Sequence, residues 1–325
     1  MFSRKLKTVF GFGFAWLLVA TAFAPQAFAQ DDLRIAFSVP GFNFPFFRIT
    51  EAGALAEAEA DGAIEIVSLD GQDSDAVQLS TAEDAIAAGV DAVVISPRTT
   101  EGLAGLFDLL AEQDIPVITF DRQGEADSIL AHIGADNVAG GESAGNFIAE
   151  QLGGEGRIIE LTGTPGASPA IDRSEGFNNV IGGIDGLEVI EQQTANFNSA
   201  DALQVTEDIL TRLGSSAEEP GFDALFAAND DMALGAIEAI RARGLDPSQF
   251  VIVGFDALGT ALEAIEEGSL TGTVDQFPNE QAGTAVRQIA EFVRNGTQPE
   301  ATTFLTPRVI SADNLGEAST LILEE

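Results

Sequence analysis

Short runs rich in Ile and Val alternate with helix-like stretches along almost the whole chain, and this alternation constrains the fold more than any other feature. Runs at 33–39, 64–69, 91–95 and 115–120 read as buried parallel strands bounded by turn residues. Between them, 46–60, 75–88 and 100–113 carry apolar residues at helical spacing. Strand–helix–strand order predicts a parallel sheet with helices on both faces. A fifth run at 128–133 precedes Gly134-Ala135-Asp136-Asn137, and the same grammar then restarts. The second series has strands at 157–161, 187–192, 224–227 and 250–255, with helices near 138–151, 170–181, 200–213 and 231–243. Two similar α/β lobes are therefore expected. The break at 134–137 is short, which suits a hinge better than a flexible tether.

In open α/β sheets, ligands bind beyond the carboxyl ends of the strands. After the first run comes Asn43-Phe44-Pro45-Phe46-Phe47, where a helix should begin. Two readings stand. The aromatics could form a hydrophobic staple or a lobe-to-lobe contact. They could also form a stacking wall for a sugar ring, whose C–H faces pack on aromatic faces. After the fourth run comes Asp121-Arg122. As a surface ion pair it would contribute little. At a strand end it can bracket a vicinal diol, because a carboxylate accepts from two hydroxyls and a guanidinium donates in a fixed fork.

The second series repeats the theme. Thr162-Gly163-Thr164-Pro165-Gly166 lacks the Gly-Lys-Ser/Thr ending of a phosphate loop and reads as a tight turn into the helix bearing Arg173. Phe197, Asn229-Asp230 and Asp256 each follow a strand, and Gln276 follows a further short run at 270–274. Asn, Asp, Gln and Arg beside Phe are what a polyhydroxy ring requires. His132, the single histidine, sits inside an apolar run and reads as a strand residue; no Ser-His-Asp set or metal cluster can be assembled around it. Gly140-Gly141 and Gly153-Gly154 do not follow a strand as G-x-G-x-x-G, so no dinucleotide is assigned.

With these segments in place, the chain resembles the periplasmic ribose-binding protein family, the type I sugar-binding proteins of ABC transporters. The resemblance is carried in order by Phe44-Pro45-Phe46-Phe47, Pro116-Val117-Ile118-Thr119-Phe120-Asp121-Arg122-Gln123 and Ala135-Asp136-Asn137-Val138-Ala139-Gly140-Gly141. It continues through Arg173-Ser174-Glu175-Gly176-Phe177, Ala228-Asn229-Asp230-Asp231-Met232-Ala233-Leu234-Gly235-Ala236 and Val253-Gly254-Phe255-Asp256. It implies two doubly wound parallel-sheet lobes joined by a three-segment hinge near 135–136, 276–277 and 305–306. The lobes would be 30–135 plus 277–305, and 136–276 plus 306–325. It implies stacking by Phe46 and Phe47 from one lobe and Phe197 from the other. Hydroxyl contacts would come from Asp121, Arg122, Arg173, Asn229, Asp256 and Gln276. The family's ribose binders place a ligand-contacting asparagine where this chain has Phe44. Asn43 is adjacent but needs a shifted loop to replace it. The departure points away from ribose toward another pentose, a hexose, a deoxysugar or a cyclic polyol. A transporter permease is the implied partner, presentation to a chemoreceptor is compatible with transport, and a monomer without cofactor or metal is expected.

The N-terminal residues agree with export. Arg4, Lys5 and Lys7 precede an apolar run over 9–24, and Ala27-Phe28-Ala29 offers small residues at −3 and −1. A cleavable signal over 1–29 and a periplasmic mature chain from Gln30 are expected. Zero cysteines exclude disulfides, thiolate metal sites and a lipid anchor. The formal charge is −37, and loss of the three signal cations takes it to −40. Such a surface repels nucleic acid and anionic membrane. Acids scattered over helices suit a solvated surface in concentrated salt. A transcriptional regulator of this fold would need a DNA-binding helix-turn-helix before the first strand, where a signal stands instead. A sugar-processing enzyme would need paired carboxylates with separated pKa values or a metal, and Asp121 with Asp256 is the pair to test.

Overall fold

Most Ile- and Val-rich runs form strands buried on both faces, as parallel strands between helix layers must be, whereas the edge runs at 64–70 and 187–194 stay partly exposed. In the computed structural model, residues 32–323 are described; the export signal expected over 1–29 lies outside them. The first series is β1 (Leu33–Val39), α1 (Pro45–Asp61), β2 (Ile64–Asp70), α2 (Asp75–Ala87), β3 (Ala92–Ile95), α3 (Ala104–Glu112), β4 (Val117–Phe120) and β5 (Ile129–Ala135). The second begins with α4 (Asn137–Leu152), β6 (Gly156–Thr162), α5 (Ser168–Ile181), β7 (Leu187–Thr194) and α6 (Ser199–Leu213). It continues through β8 (Ala224–Ala227), α7 (Asp230–Ala242), β9 (Val251–Phe255), α8 (Gly259–Glu266) and β10 (Gly272–Asp275). The chain closes with α9 (Pro278–Asn295), β11 (Thr302–Leu305) and β12 (Arg308–Ser311).

The strands make two six-stranded sheets of identical order, β11-β5-β4-β3-β1-β2 and β12-β10-β9-β8-β6-β7. Every pairing is parallel except β12 against β10. This is the two-lobe α/β architecture that the alternation predicts. β3, β4 and β8 are buried at every residue. Stacked rings brace each core, Phe37 on Phe120 at 4.9 Å in one and Phe177 on Phe226 at 4.5 Å in the other. Helix ends follow local chemistry. Asn198 accepts the Ala200 and Asp201 amides to start α6, and Gly214, at φ 66°, closes it in the left-handed region.

The chain passes between the sheets at three places: Asp136 between β5 and α4, Gln276-Phe277 between β10 and α9, and Thr306-Pro307 between β11 and β12. As a result the two helices that follow β5 and β10 are exchanged. α4 packs on α5 and the second sheet, whereas α9 packs on α1 and the first. Some elements differ from the sequence reading. The helix expected over 100–113 starts only at Ala104, because the Thr100 amide donates across to the Gly166 carbonyl at 2.9 Å. The strand expected from 115 begins at Val117, after Pro116, which has no N–H to enter a ladder. α8, α9, β11 and β12 extend the alternation beyond the runs that its periodicity marked out.

Candidate functional site

Between the carboxyl ends of the two sheets lies a cavity with about 310 Å³ of unoccupied space, part of it open to solvent. From the first lobe, the start of α1 supplies one wall. Phe44 precedes the helix without a side-chain cap, and Pro45 takes the first helical position, where its missing N–H has no partner to lose. Phe46 packs edge-on against Phe47 at 5.1 Å, and Phe44 against Phe47 at 6.3 Å. All three rings are buried and line the cavity. Asn43 does not join them. It is exposed, with its amide oxygen folded over Gly41, so the expectation that it could stand in for a polar contact is corrected.

Asp121 and Arg122 follow β4 directly. Asp121 takes the left-handed φ of 55° and accepts Ser96 Oγ at 3.0 Å on Oδ2. Arg122 donates through Nη1 to the Arg98 carbonyl at 2.9 Å, and its Nε stands 3.8 Å from Asp121 Oδ2. Its guanidinium lies 5.5 Å from the Phe47 ring and 5.3 Å from Phe197, so one cation bridges rings of both lobes.

The second lobe answers with Arg173 on α5. Its Nε donates to Asn137 Oδ1 at 2.8 Å, and its Nη1 donates to the Ala228 carbonyl at 2.7 Å and stands 3.5 Å from Asp256 Oδ1. The Phe255 ring lies 3.7 Å beneath it. Asp256 also receives Gln276 Nε2 at 2.5 Å, and Gln276 is held by Gln281. Phe197, at φ 58°, presses against Gly163, where an added Cβ would stand 2.0 Å from the ring. Only glycine leaves room for that ring. Asn229 caps α7 by accepting the Met232 amide at 2.9 Å, and it donates to the Phe197 carbonyl at 3.2 Å.

Burial dominates the electrostatics. Desolvation pushes the Asp121 carboxyl up against the pull of Arg122 and Arg173. It pushes Asp256 up to about 8, opposed by Arg173 and the Gln276 hydrogen bond. Asp230, held by Thr273 and the Leu258 amide behind the site, is driven well above the usual carboxylate range by burial and then by Asp256. Desolvation lowers both guanidiniums, whose intrinsic basicity keeps them charged. His132 is elsewhere, buried on β5 with Thr119 Oγ1 3.0 Å from Nδ1, and burial alone lowers it to about 4. No group of three metal-ligating side chains occurs among the described residues.

Ten of the eleven expected residues thus line one cavity. Sequence reasoning missed Pro169, the second residue of α5, which stands in its first turn as Pro45 stands in that of α1. A proline at a helix start beyond a strand was the available signal. It also missed the supports Ser96, Arg98, Asn137 and Gln281, for which local sequence held no signal.

The family described as a periplasmic binding protein domain matches residues 35–297. A ribose import binding protein of Haemophilus influenzae is 34% identical over 295 residues, covering 91% of this chain and 96% of that relative. The galactofuranose-binding protein of Escherichia coli K12 is 29% identical, covering 92% and 94%. The crystal structure of the Caulobacter myo-inositol binding protein, bound to myo-inositol, superposes with a TM-score of 0.83 at 32% identity, covering 93% of this chain and all of that one.

Proposed function

The chain belongs to the periplasmic binding protein family, and from that membership we propose that it captures one neutral monosaccharide or cyclic polyol and delivers it to an ABC transporter permease. The observation that carries this reading is the pairing of Asp121 with Arg122 and of Asp256 with Arg173, one pair from each sheet, facing a single aromatic-walled cavity. Carboxyl and guanidinium groups side by side offer acceptors and donors to the hydroxyls of such a ligand. Relatives whose names record ribose and galactofuranose, and a neighbour that holds myo-inositol, support the same ligand class.

Capture proceeds by closure. The lobes, 30–135 plus 277–305 and 136–276 plus 306–325, rotate about the three crossings and admit the ligand when apart. The contacts available on closing are the Thr100 amide on Gly166 O at 2.9 Å, the Gln123 amide on Ser168 Oγ at 2.8 Å, and Arg122 against Phe197. Charge-assisted hydrogen bonds of about 1.5–3 kcal/mol each, added to ring stacking, are sufficient for micromolar binding. The N-terminal residues act as a cleavable export signal, and the ligand leaves unaltered.

A thermal-shift panel of pentoses, hexoses, deoxysugars and polyols tests the reading. At least one is expected to raise the melting midpoint, and mass analysis is expected to return it unchanged. A panel in which no sugar or polyol shifts the midpoint would sink the assignment. Arg173→Ala is expected to weaken the cognate ligand at least tenfold, about 1.4 kcal/mol. Full affinity in a folded R173A protein would remove Arg173 from the site.

A further inference from the structure

Two polar groups on the first lobe's side of the cavity are aimed by one loop that stays outside it. Ser96 follows β3, and its Oγ donates to Asp121 Oδ2 at 3.0 Å. Two residues on, the Arg98 carbonyl accepts Arg122 Nη1 at 2.9 Å. Neither Ser96 nor Arg98 lines the cavity. The same loop reaches the second lobe, where the Thr100 amide donates to the Gly166 carbonyl at 2.9 Å.

The loop is held by Gln78, a fully buried residue of α2. Its Oε1 accepts the Arg98 amide at 2.9 Å, while Nε2 donates to the Ser96 carbonyl at 2.8 Å and to Ser38 Oγ at 3.2 Å. A backbone amide can only donate and a carbonyl can only accept, so these partners fix which way the side-chain amide faces. The other buried residues of α2 are Ala82, Ala85 and Ile86, which is what covering a sheet requires. An amide among them is retained at a cost unless every polar atom is paired, as it is here. Arg98 also pairs with Asp73 and Asp75, but these carboxylates are partly exposed, and such pairs pin a loop weakly.

We infer that Gln78 is a positioning residue of the binding site: through Ser96 it aims Asp121, and through the Arg98 carbonyl it aims Arg122. Affinity then depends on an amide that never touches the ligand. The inference rests on the sugar-binding reading above and deepens it. An apolar side chain of the same length would strip the Arg98 amide and the Ser96 carbonyl of their partners. Unpaired groups of this kind turn toward water, and the loop would carry both cavity contacts with it.

Calorimetric titration of the purified mature chain with D-ribose, L-arabinose, D-galactose and myo-inositol first identifies a probe that binds the wild type. Gln78→Met is expected to weaken that probe by about tenfold or more, in a protein that circular dichroism shows to be folded. Gln78→Asn keeps the amide but falls a methylene short of the loop; it is expected to show a milder loss and serves if the methionine variant does not fold. Ser96→Ala alone is expected to weaken the probe by about threefold or more. In either Gln78 background it is expected to cost nothing further, because the displaced hydroxyl has already left Asp121. Leu110→Ala, which hollows the core of the same lobe, is expected to lower the melting midpoint and leave affinity within about twofold of wild type. Full affinity in folded Q78M or Q78N overturns the inference, as do losses that multiply when S96A is added. An affinity loss in L110A equal to that in Q78M also overturns it, by assigning the effect to general destabilisation. These outcomes leave the sugar-binding function intact. Absence of binding by every probe to the wild type overturns that function, and this inference with it.

Discussion

At the residue scale, backbone conformation and burial decide what each side chain can do. Asp121, Phe197 and Asp256 hold φ values of 55°, 58° and 111°, a region that costs a non-glycine residue about 1–3 kcal/mol. All three line the cavity, and there the left-handed backbone aims their side chains inward. Asp256 also carries a pH signature. Its folded pKa is raised, to about 8, above the ordinary carboxylate value of 3.8. Between those values the folded chain binds more protons than the unfolded chain, so its contribution to stability is fully present below the lower value and is lost as pH rises toward the higher one. The ligand-free protein is therefore expected to melt at lower temperature near about pH 8 than near about pH 5, with Asp256→Asn flattening the slope. Asp121 and Asp230, raised in the same direction, share the trend, so the variant reduces it without abolishing it. An identical pH profile for wild type and D256N would contradict the assignment.

At the scale of the element, helix starts double as site walls. α1 begins at the Phe44 rim, α5 begins with Ser168-Pro169, and α7 begins at Asn229, whose amide both caps the helix and holds the Phe197 loop. Asn229→Ala is expected to cost about 1 kcal/mol of stability through the lost cap and to weaken ligand binding through the freed Phe197 loop. Asn229→Ser restores an acceptor for the Met232 amide but not the donor to Phe197. Urea melts should then recover while affinity stays low. Recovery of both by serine would show that the cap alone matters. The resemblance implies that Asn229 contacts the ligand; its bonds within the protein leave one N–H of Nδ2 unused, and the residue lines the cavity.

At the scale of the whole molecule, charge and closure meet. The chain carries 52 acids against 15 cations. Of the arginines beyond the expected signal, eleven form ion pairs among the described residues, and Arg243 donates to the Ser215 carbonyl. The remaining acids repel one another across the surface. Raising salt from about 0.1 M to about 1 M shortens the screening length from about 10 Å to about 3 Å. The melting temperature is expected to rise by several degrees over that range, since relief of self-repulsion outweighs weakened surface pairs of small individual value. A midpoint that falls with salt would show that the ion pairs dominate.

Periodicity and position made the α/β grammar, the doubled lobe and most of the site readable, because a buried parallel strand must be apolar throughout and ligands gather beyond its carboxyl end. Phe46, Asp121 and Arg173 could be named on that ground alone or with the resemblance beside it. Asn43 misled because adjacency along the chain says nothing of which way a loop side chain turns. The exchange of α4 and α9 between lobes was equally unreadable. An amphipathic helix shows that it has a buried face, but not which sheet covers that face. The hydrogen bonds already taken by Asn229 and Gln276, and the room Gly163 leaves for Phe197, depend on residues tens of positions apart meeting in space. Residue types and their order define the chemistry on offer. Long-range packing decides how much of it is left for a ligand, because each buried polar atom satisfies its hydrogen bonds within the protein first.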